Sequence, residues 1–151
     1  MPTYLSKEKL EELKEELETR KKVTRREIAD RISQAKELGD LAENFEYHEA
    51  KDAQGMNESR IQQVEGMILD SCIVEEKTGG DVIQLGVTFE VDLAGSKKTF
   101  QIVGASEAKP LEGKISNESP LGNALLGTKV GDEVKLEVPS GTVKYKITKI
   151  L

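Results

Sequence analysis

From Pro2 to Pro110 the chain contains no proline, so nothing in that span forbids helix. The helical pattern there breaks at one stretch, Lys36-Glu37-Leu38-Gly39-Asp40-Leu41-Ala42-Glu43-Asn44-Phe45-Glu46-Tyr47-His48. Ahead of it, apolar residues recur at Leu10, Leu13, Leu17, Ile28, Ile32, Ala35 and Leu38, mostly at helical spacing. Beyond it a second pattern runs through Phe45, His48, Met56, Ile61, Val64, Met67 and Cys72. Ser6 is the expected N-cap of the first helix, and Gly39 the residue that ends it in a left-handed conformation. So short a connection makes the helices antiparallel neighbours. The expectation is a helical hairpin, a rod of roughly 45–50 Å if each arm has thirty-odd residues. Gly55 and Gly66 each cost the second helix about 1 kcal/mol relative to alanine, and close helix approach is the expected reason for them.

Past Gly79-Gly80 the apolar period changes to two. Val82 to Asp92 reads as a strand, residues 94–98 as a turn and Thr99 to Val103 as the partner strand. Ser119 as cap, Pro120 at the first helical position and Gly127 as terminator mark a short helix. Glu133 to Val138 and Thr142 to Ile150 alternate around Pro139-Ser140-Gly141, a terminal hairpin. The fold class is therefore α+β. An N-terminal antiparallel two-helix coiled coil, residues 1–76, precedes a small domain with a mostly antiparallel sheet, residues 77–151.

Six aromatics (Tyr4, Phe45, Tyr47, Phe89, Phe100 and Tyr145) do not furnish a large core, which suits a rod plus a compact half-chain. No apolar run approaches the roughly 20 residues of a membrane span, and no signal-like N-terminus precedes the first helix. A lone cysteine, Cys72, fits a reducing, cytoplasmic setting and reads as packing. Residues 40–75 hold nine acids against Lys51 and Arg60, while residues 1–39 carry ten basic and nine acidic side chains. Free nucleic acid is a poor partner for such a surface, and a metal-bearing or basic pocket a better one. Between Leu17 and Ile28, Arg20-Lys21-Lys22 and Thr24-Arg25-Arg26 read either as a solvated coiled-coil middle or as a basic patch facing an acidic polymer.

Asp40 and Glu43 have the spacing of a capping box, with an acid at the N-cap and glutamate three residues on. They also suit a hard divalent cation such as Mg²⁺, which takes one or two carboxylates and keeps waters. Two acids are too few for a complete site, so the metal reading implies ligands from another molecule. Leu38, Leu41, Phe45 and Tyr47 give the bend more apolar surface than a solvated cap needs. His48, the only histidine, reads as a packing or hydrogen-bonding residue. Tyr47 could stack on a base or pack on the neighbouring helix, and Lys36 and Lys51 could contact phosphates or be ordinary surface lysines.

Residues 39–51, Gly-Asp-Leu-Ala-Glu-Asn-Phe-Glu-Tyr-His-Glu-Ala-Lys, closely resemble the tip motif of the bacterial transcript-cleavage (Gre) factors. Residues 119–132, Ser-Pro-Leu-Gly-Asn-Ala-Leu-Leu-Gly-Thr-Lys-Val-Gly-Asp, resemble that family's C-terminal motif. The likeness spans the whole chain and implies an FKBP-like fold for the C-terminal half. It also implies a monomeric factor, not itself an enzyme, that binds bacterial RNA polymerase and inserts its coiled coil through the secondary channel. There it stimulates the polymerase's own Mg²⁺-dependent hydrolysis of the 3′ end of backtracked RNA. Carried over, Asp40 and Glu43 help hold a Mg²⁺ shared with the polymerase and position the attacking water, the logic of two-metal hydrolysis. Leu41, Asn44, Phe45, Tyr47 and His48 support the tip. Lys36 and Lys51 stand where the family has RNA-contacting arginines, keeping charge but losing bidentate geometry, and Ala42 stands where relatives can carry lysine. Ser119, Pro120 and Leu121 match the segment that docks on the polymerase rim. Two alternatives are an inhibitory relative that occupies the channel without cleavage and a peptidyl-prolyl isomerase or chaperone. A structural adaptor is a third.

Overall fold

A computed structural model describes residues 2–151. The chain falls into two compact units: Glu8–Ser71, and residues 2–7 together with Cys72–Leu151.

The first unit is the helical hairpin. Helix α1 (Lys7–Thr19) continues through a π-helical turn, Arg20–Thr24, into α2 (Arg25–Lys36), and α3 (Phe45–Leu69) returns. With 25 residues α3 is about 37 Å long, shorter than the sequence spacing suggested, because the bend takes residues 37–44. The seam consists of Leu13, Ile28 and Ala35 facing Ala50, Ile61 and Val64. Leu38, Phe45 and Met56, expected to join it, are 70%, 75% and 75% exposed. The buried positions on α3 follow the rhythm 50, 57, 61, 64, and position 57 is Asn57, the one buried polar residue described in the chain. Phe45 and Met56 lie off that stripe. Gly55 and Gly66 do not serve close packing either, since a Cβ at either would meet nothing within 4 Å.

The π turn coincides with the thinned middle of the apolar stripe. Arg25 N–H bonds back to the Arg20 carbonyl, five residues earlier, and Val23 is 48% exposed. That carbonyl also accepts from Asn57 Nδ2 at 3.4 Å, while Arg20 donates to Asn57 Oδ1 at 3.0 Å. Glu16 ties the helices together: Arg60 grips it with two parallel bonds of 2.8 and 2.9 Å, and Arg20 adds a third of 2.7 Å. Lys21 pairs with Glu65, Lys22 with Glu18 and Arg25 with Glu58. These pairings favour the solvated-middle reading, because most of the basic cluster is already answered by carboxylates of the same hairpin.

In the second unit β1 (Thr3–Leu5) pairs with β2 (Ser71–Ile73). Ser6, expected as the N-cap, stands just before α1, and its amide and hydroxyl donate to Glu107 at 2.9 and 2.6 Å. The main sheet holds β3 (Thr88–Leu93), β4 (Ser96–Val103), β5 (Lys114–Ser116), β6 (Glu133–Val138) and β7 (Gly141–Ile150) in the order β5-β4-β3-β7-β6. All its pairings are antiparallel except β4 with β5. The α+β class with a mostly antiparallel sheet is what the sequence led one to expect. Strand β3 starts later than its alternation suggested, because Gly86 turns the backbone with φ +89° and its bare Cα lies against Glu75. A Cβ there would come within 2.5 Å of the Glu75 carbonyl oxygen. Ile83, Val87, Phe89, Val91, Ile102, Ile115, Val134 and Ile147 form the core, closed by Leu125 of α4 (Pro120–Leu125).

Candidate functional site at the hairpin bend

The bend is built from the ends of two helices. Helix α2 ends at Lys36 with Glu37 as C-cap. Gly39 follows at φ +125°, a conformation that disfavours any Cβ, one residue later than a simple helix terminator would stand. Leu41, Ala42 and Glu43 then form a turn. Asn44 takes extended backbone angles and caps α3, its Oδ1 accepting from Tyr47 N–H at 3.1 Å. The cap is therefore Asn44, and neither acid belongs to the capping box that their spacing suggested.

Asp40 instead orders its own turn: its Oδ1 accepts from the Ala42 amide at 3.0 Å, the local Asx geometry that short acids favour. One carboxylate oxygen is thus committed, and the other makes no hydrogen bond among the described residues on a side chain that is exposed. Glu43 is exposed and makes no hydrogen bond or ion pair among the described residues. The two acids are unlike in kind, one held by backbone and one on a free stem.

Around them, His48 Nε2 approaches the Ala42 carbonyl at 3.4 Å, and Tyr47 meets the His48 ring edge-on at 5.6 Å. Tyr47 is half-buried, which favours packing over a free stacking surface. Phe45 and Leu38 stand out in solvent, and Leu41 is 39% exposed. Lys36 is exposed on the last turn of α2, and Lys51 is exposed on α3, its Nζ donating to Gln54 at 3.0 Å. The bend therefore brings together Asp40, Glu43, Leu41, Asn44, Phe45, Tyr47 and His48, with one lysine on each arm.

Could these acids hold a metal alone? Mg²⁺ demands near-octahedral oxygen coordination, and no group of three metal-ligating side chains occurs among the described residues. The donor set suits a partial ligand set: one oriented carboxylate oxygen and one swinging carboxylate.

The other predicted residues lie in the second unit. Ser119 Oγ accepts from Gly122 N–H at 3.0 Å and donates to the Ser116 carbonyl at 2.7 Å. Leu121 packs on the core, so of the three only Pro120 is exposed. A proline-binding pocket has little material there. Phe89 is fully buried, and Phe100 packs between it and Tyr145 at centroid distances of 6.3 and 6.4 Å. These rings are core.

Sequence reasoning missed both halves of Asn44's role, the cap of α3 and a bond from its Nδ2 to the Ala35 carbonyl on α2. The only signal was an asparagine immediately before a helical pattern. It also missed the Glu16 cluster, although Glu16 and Arg20 are one helical turn apart.

Comparison with known proteins places both units. Residues 3–73 match the N-terminal domain of transcription elongation factors of the GreA/GreB family, and residues 77–151 match its C-terminal domain. Transcription elongation factor GreA of Geobacillus kaustophilus is 48% identical over 149 residues, covering 97% of this chain and 94% of that protein. GreA of Thermoanaerobacter pseudethanolicus is 45% identical over 152 residues, covering 99% of this chain and 97% of its own. Among solved structures, GreA factor homolog 1 of Thermus thermophilus is 30% identical, with a TM-score of 0.45 and coverage of 100% of this chain and 99% of that one.

Proposed function

We infer the function from one premise: this chain belongs to the GreA/GreB family of transcription elongation factors. It is a transcription elongation factor whose partner is RNA polymerase. The finer reading is that the hairpin enters the polymerase's secondary channel and stimulates hydrolysis of the 3′ end of backtracked RNA. The factor has no reaction of its own and works as a cytoplasmic monomer. In the same reading Ser119, Pro120 and Leu121 dock on the polymerase, with Pro120 making the contact and the other two holding α4 in shape.

One observation carries this reading. Two carboxylates stand exposed on a bend whose backbone is ordered by its own side chains. Asp40 offers its second oxygen at an angle set by the bond of the first, and Glu43 reaches as far as its stem allows. Together they complete the ligand set of a Mg²⁺ shared with the polymerase, and that ion supplies the charge stabilisation and water activation of phosphodiester hydrolysis. Lys36 and Lys51 draw the RNA backbone towards the bend as point charges. Leu38, Leu41 and Phe45 exclude water where they meet the channel wall, which strengthens the carboxylate contacts.

The test is a halted, backtracked elongation complex with cognate polymerase and Mg²⁺, the RNA resolved on a gel. Short 3′ fragments are expected with the native chain. Asp40→Asn with Glu43→Gln should abolish them while leaving polymerase binding intact, because both changes remove charge at nearly constant shape, and asparagine still accepts from Ala42. Undiminished cleavage by the double variant would sink the metal reading. Turnover of a proline peptide without polymerase would point to an isomerase instead.

A further inference from the structure

We propose that Asn44 is a positioning residue for the acids at the bend, acting as one clasp that reaches both helices of the hairpin. The proposal rests on the reading of Asp40 and Glu43 given above and adds what holds them.

A helix leaves its first N–H groups and its last carbonyls unpaired. Separate side chains usually answer the two kinds. Here a single carboxamide reaches both: Oδ1 accepts from the otherwise unpaired Tyr47 N–H in the first turn of α3, and Nδ2 donates to the Ala35 carbonyl in the last turn of α2, a second donor beside the Leu38 N–H that this carbonyl accepts at 3.1 Å. The two bonds define the orientation of the amide, since turning it over would set donor against donor and acceptor against acceptor. Ala35 is buried and small, which lets the amide come close to the α2 backbone. The Asn44 carbonyl also accepts from His48 N–H at 3.1 Å. Both ends of the segment 36–43 are therefore anchored through one residue, and Asp40 then fixes the interior through the Ala42 amide. The span between Ala35 and Asn44 is a closed loop whose closing bond is the amide.

Only asparagine does this at that position. Serine and aspartate cap α3 about as well as asparagine, but aspartate has no N–H for Ala35 and serine is too short to reach it. Asn44→Ser is thus the informative variant, because it keeps the helix cap, adds no charge and opens the clasp.

Two measurements on the full-length chain test this. In the free protein, nuclear Overhauser contacts from the Asn44 side-chain amide to Ala35 are expected in the native chain. In Asn44→Ser the backbone signals of Asp40, Leu41 and Ala42 should shift while those of helix α3 beyond its first turn stay. In the cleavage assay, Asn44→Ser and Asn44→Asp should melt close to wild type and bind polymerase as well. Their fragment yield should fall on the order of ten- to a hundredfold, the cost of displacing catalytic groups by about an ångström, and half-maximal cleavage should need more Mg²⁺. A purely structural cap would leave that Mg²⁺ requirement unmoved. If Asn44→Ser cleaves like wild type, or its bend signals do not shift, Asn44 is a helix cap only and the proposal falls. If the native chain itself fails to stimulate cleavage, the functional reading fails, and the signals of the bend still decide the clasp.

Discussion

Glu16→Gln is a sharp test of what holds the two arms together. The Arg60 guanidinium, more than any other group, lowers the Glu16 carboxyl; partial burial opposes it and Arg20 adds to it, leaving a value of about 2 against an ordinary 4.5. That difference corresponds to an upper limit of about 3.4 kcal/mol, at about 1.36 kcal/mol per pH unit. The Glu16 side chain is 28% exposed, so solvent screening reduces the figure, and about 1–2 kcal/mol is the expectation for a bidentate, half-buried pair. Because the folded value lies below the unfolded one, the stabilisation is fully present above about pH 4.5–5 and fades as pH falls towards 2. Thermal unfolding followed by helical circular dichroism should place the variant below wild type at pH 7. The gap should narrow at pH 3.5 and again in 1 M salt. A gap of under about 0.3 kcal/mol at pH 7, or one indifferent to pH between 5 and 3, would refute the reasoning, because surface pairs of no consequence behave that way.

Three further perturbations probe packing. A Cβ at Gly122 would fall 1.9 Å from the Ser116 carbonyl oxygen, so Gly122→Ala should destabilise the sheet unit by about 2 kcal/mol or more and weaken polymerase binding, read by urea unfolding and a pull-down. Gly55 on α3 has open space where a Cβ would go, so Gly55→Ala should stabilise by up to about 1 kcal/mol, seen as a higher urea midpoint. Phe89 is fully buried at the centre of the sheet core, and Phe89→Ala should cost about 3–5 kcal/mol, measurable as a drop in melting temperature.

Why was the hairpin legible in the sequence and its bend only partly so? Gly39 and the lack of proline announce a tight reversal between helices, since both act through local backbone sterics. The strands β6 and β7 were legible for the same kind of reason, a clean alternation around Pro139-Ser140-Gly141. Asp40 and Glu43 were found, but their spacing suggested a capping box, and Asn44 won that role because its amide also reaches Ala35. Such a bond joins residues nine apart, and no local propensity encodes it. Apolar periodicity overreached at Leu38, Phe45 and Met56, because it registers hydrophobic residues whether their surface is buried at home or left outside. The π turn left only a weak trace, a gap in the stripe. The side chain it bonds to, Asn57 on the opposite arm, is a tertiary partner. Strand β3 began late because a conformational demand at Gly86 overrode its alternation.

The pairing of β1 with β2 means that the sheet-bearing unit is made from two separate pieces of chain, and the hairpin is spliced between them. Leu5 has no exposed surface, and a methyl group on Gly104 would strike the Tyr4 carbonyl at 2.0 Å. Snipping the polypeptide near residue 76 would thus rob the downstream fragment of a fitted strand and leave a greasy gash. Excising residues 8–70 and bridging Lys7 to Ser71 with a short glycine link keeps both paired strands, and is the way to obtain that half by itself.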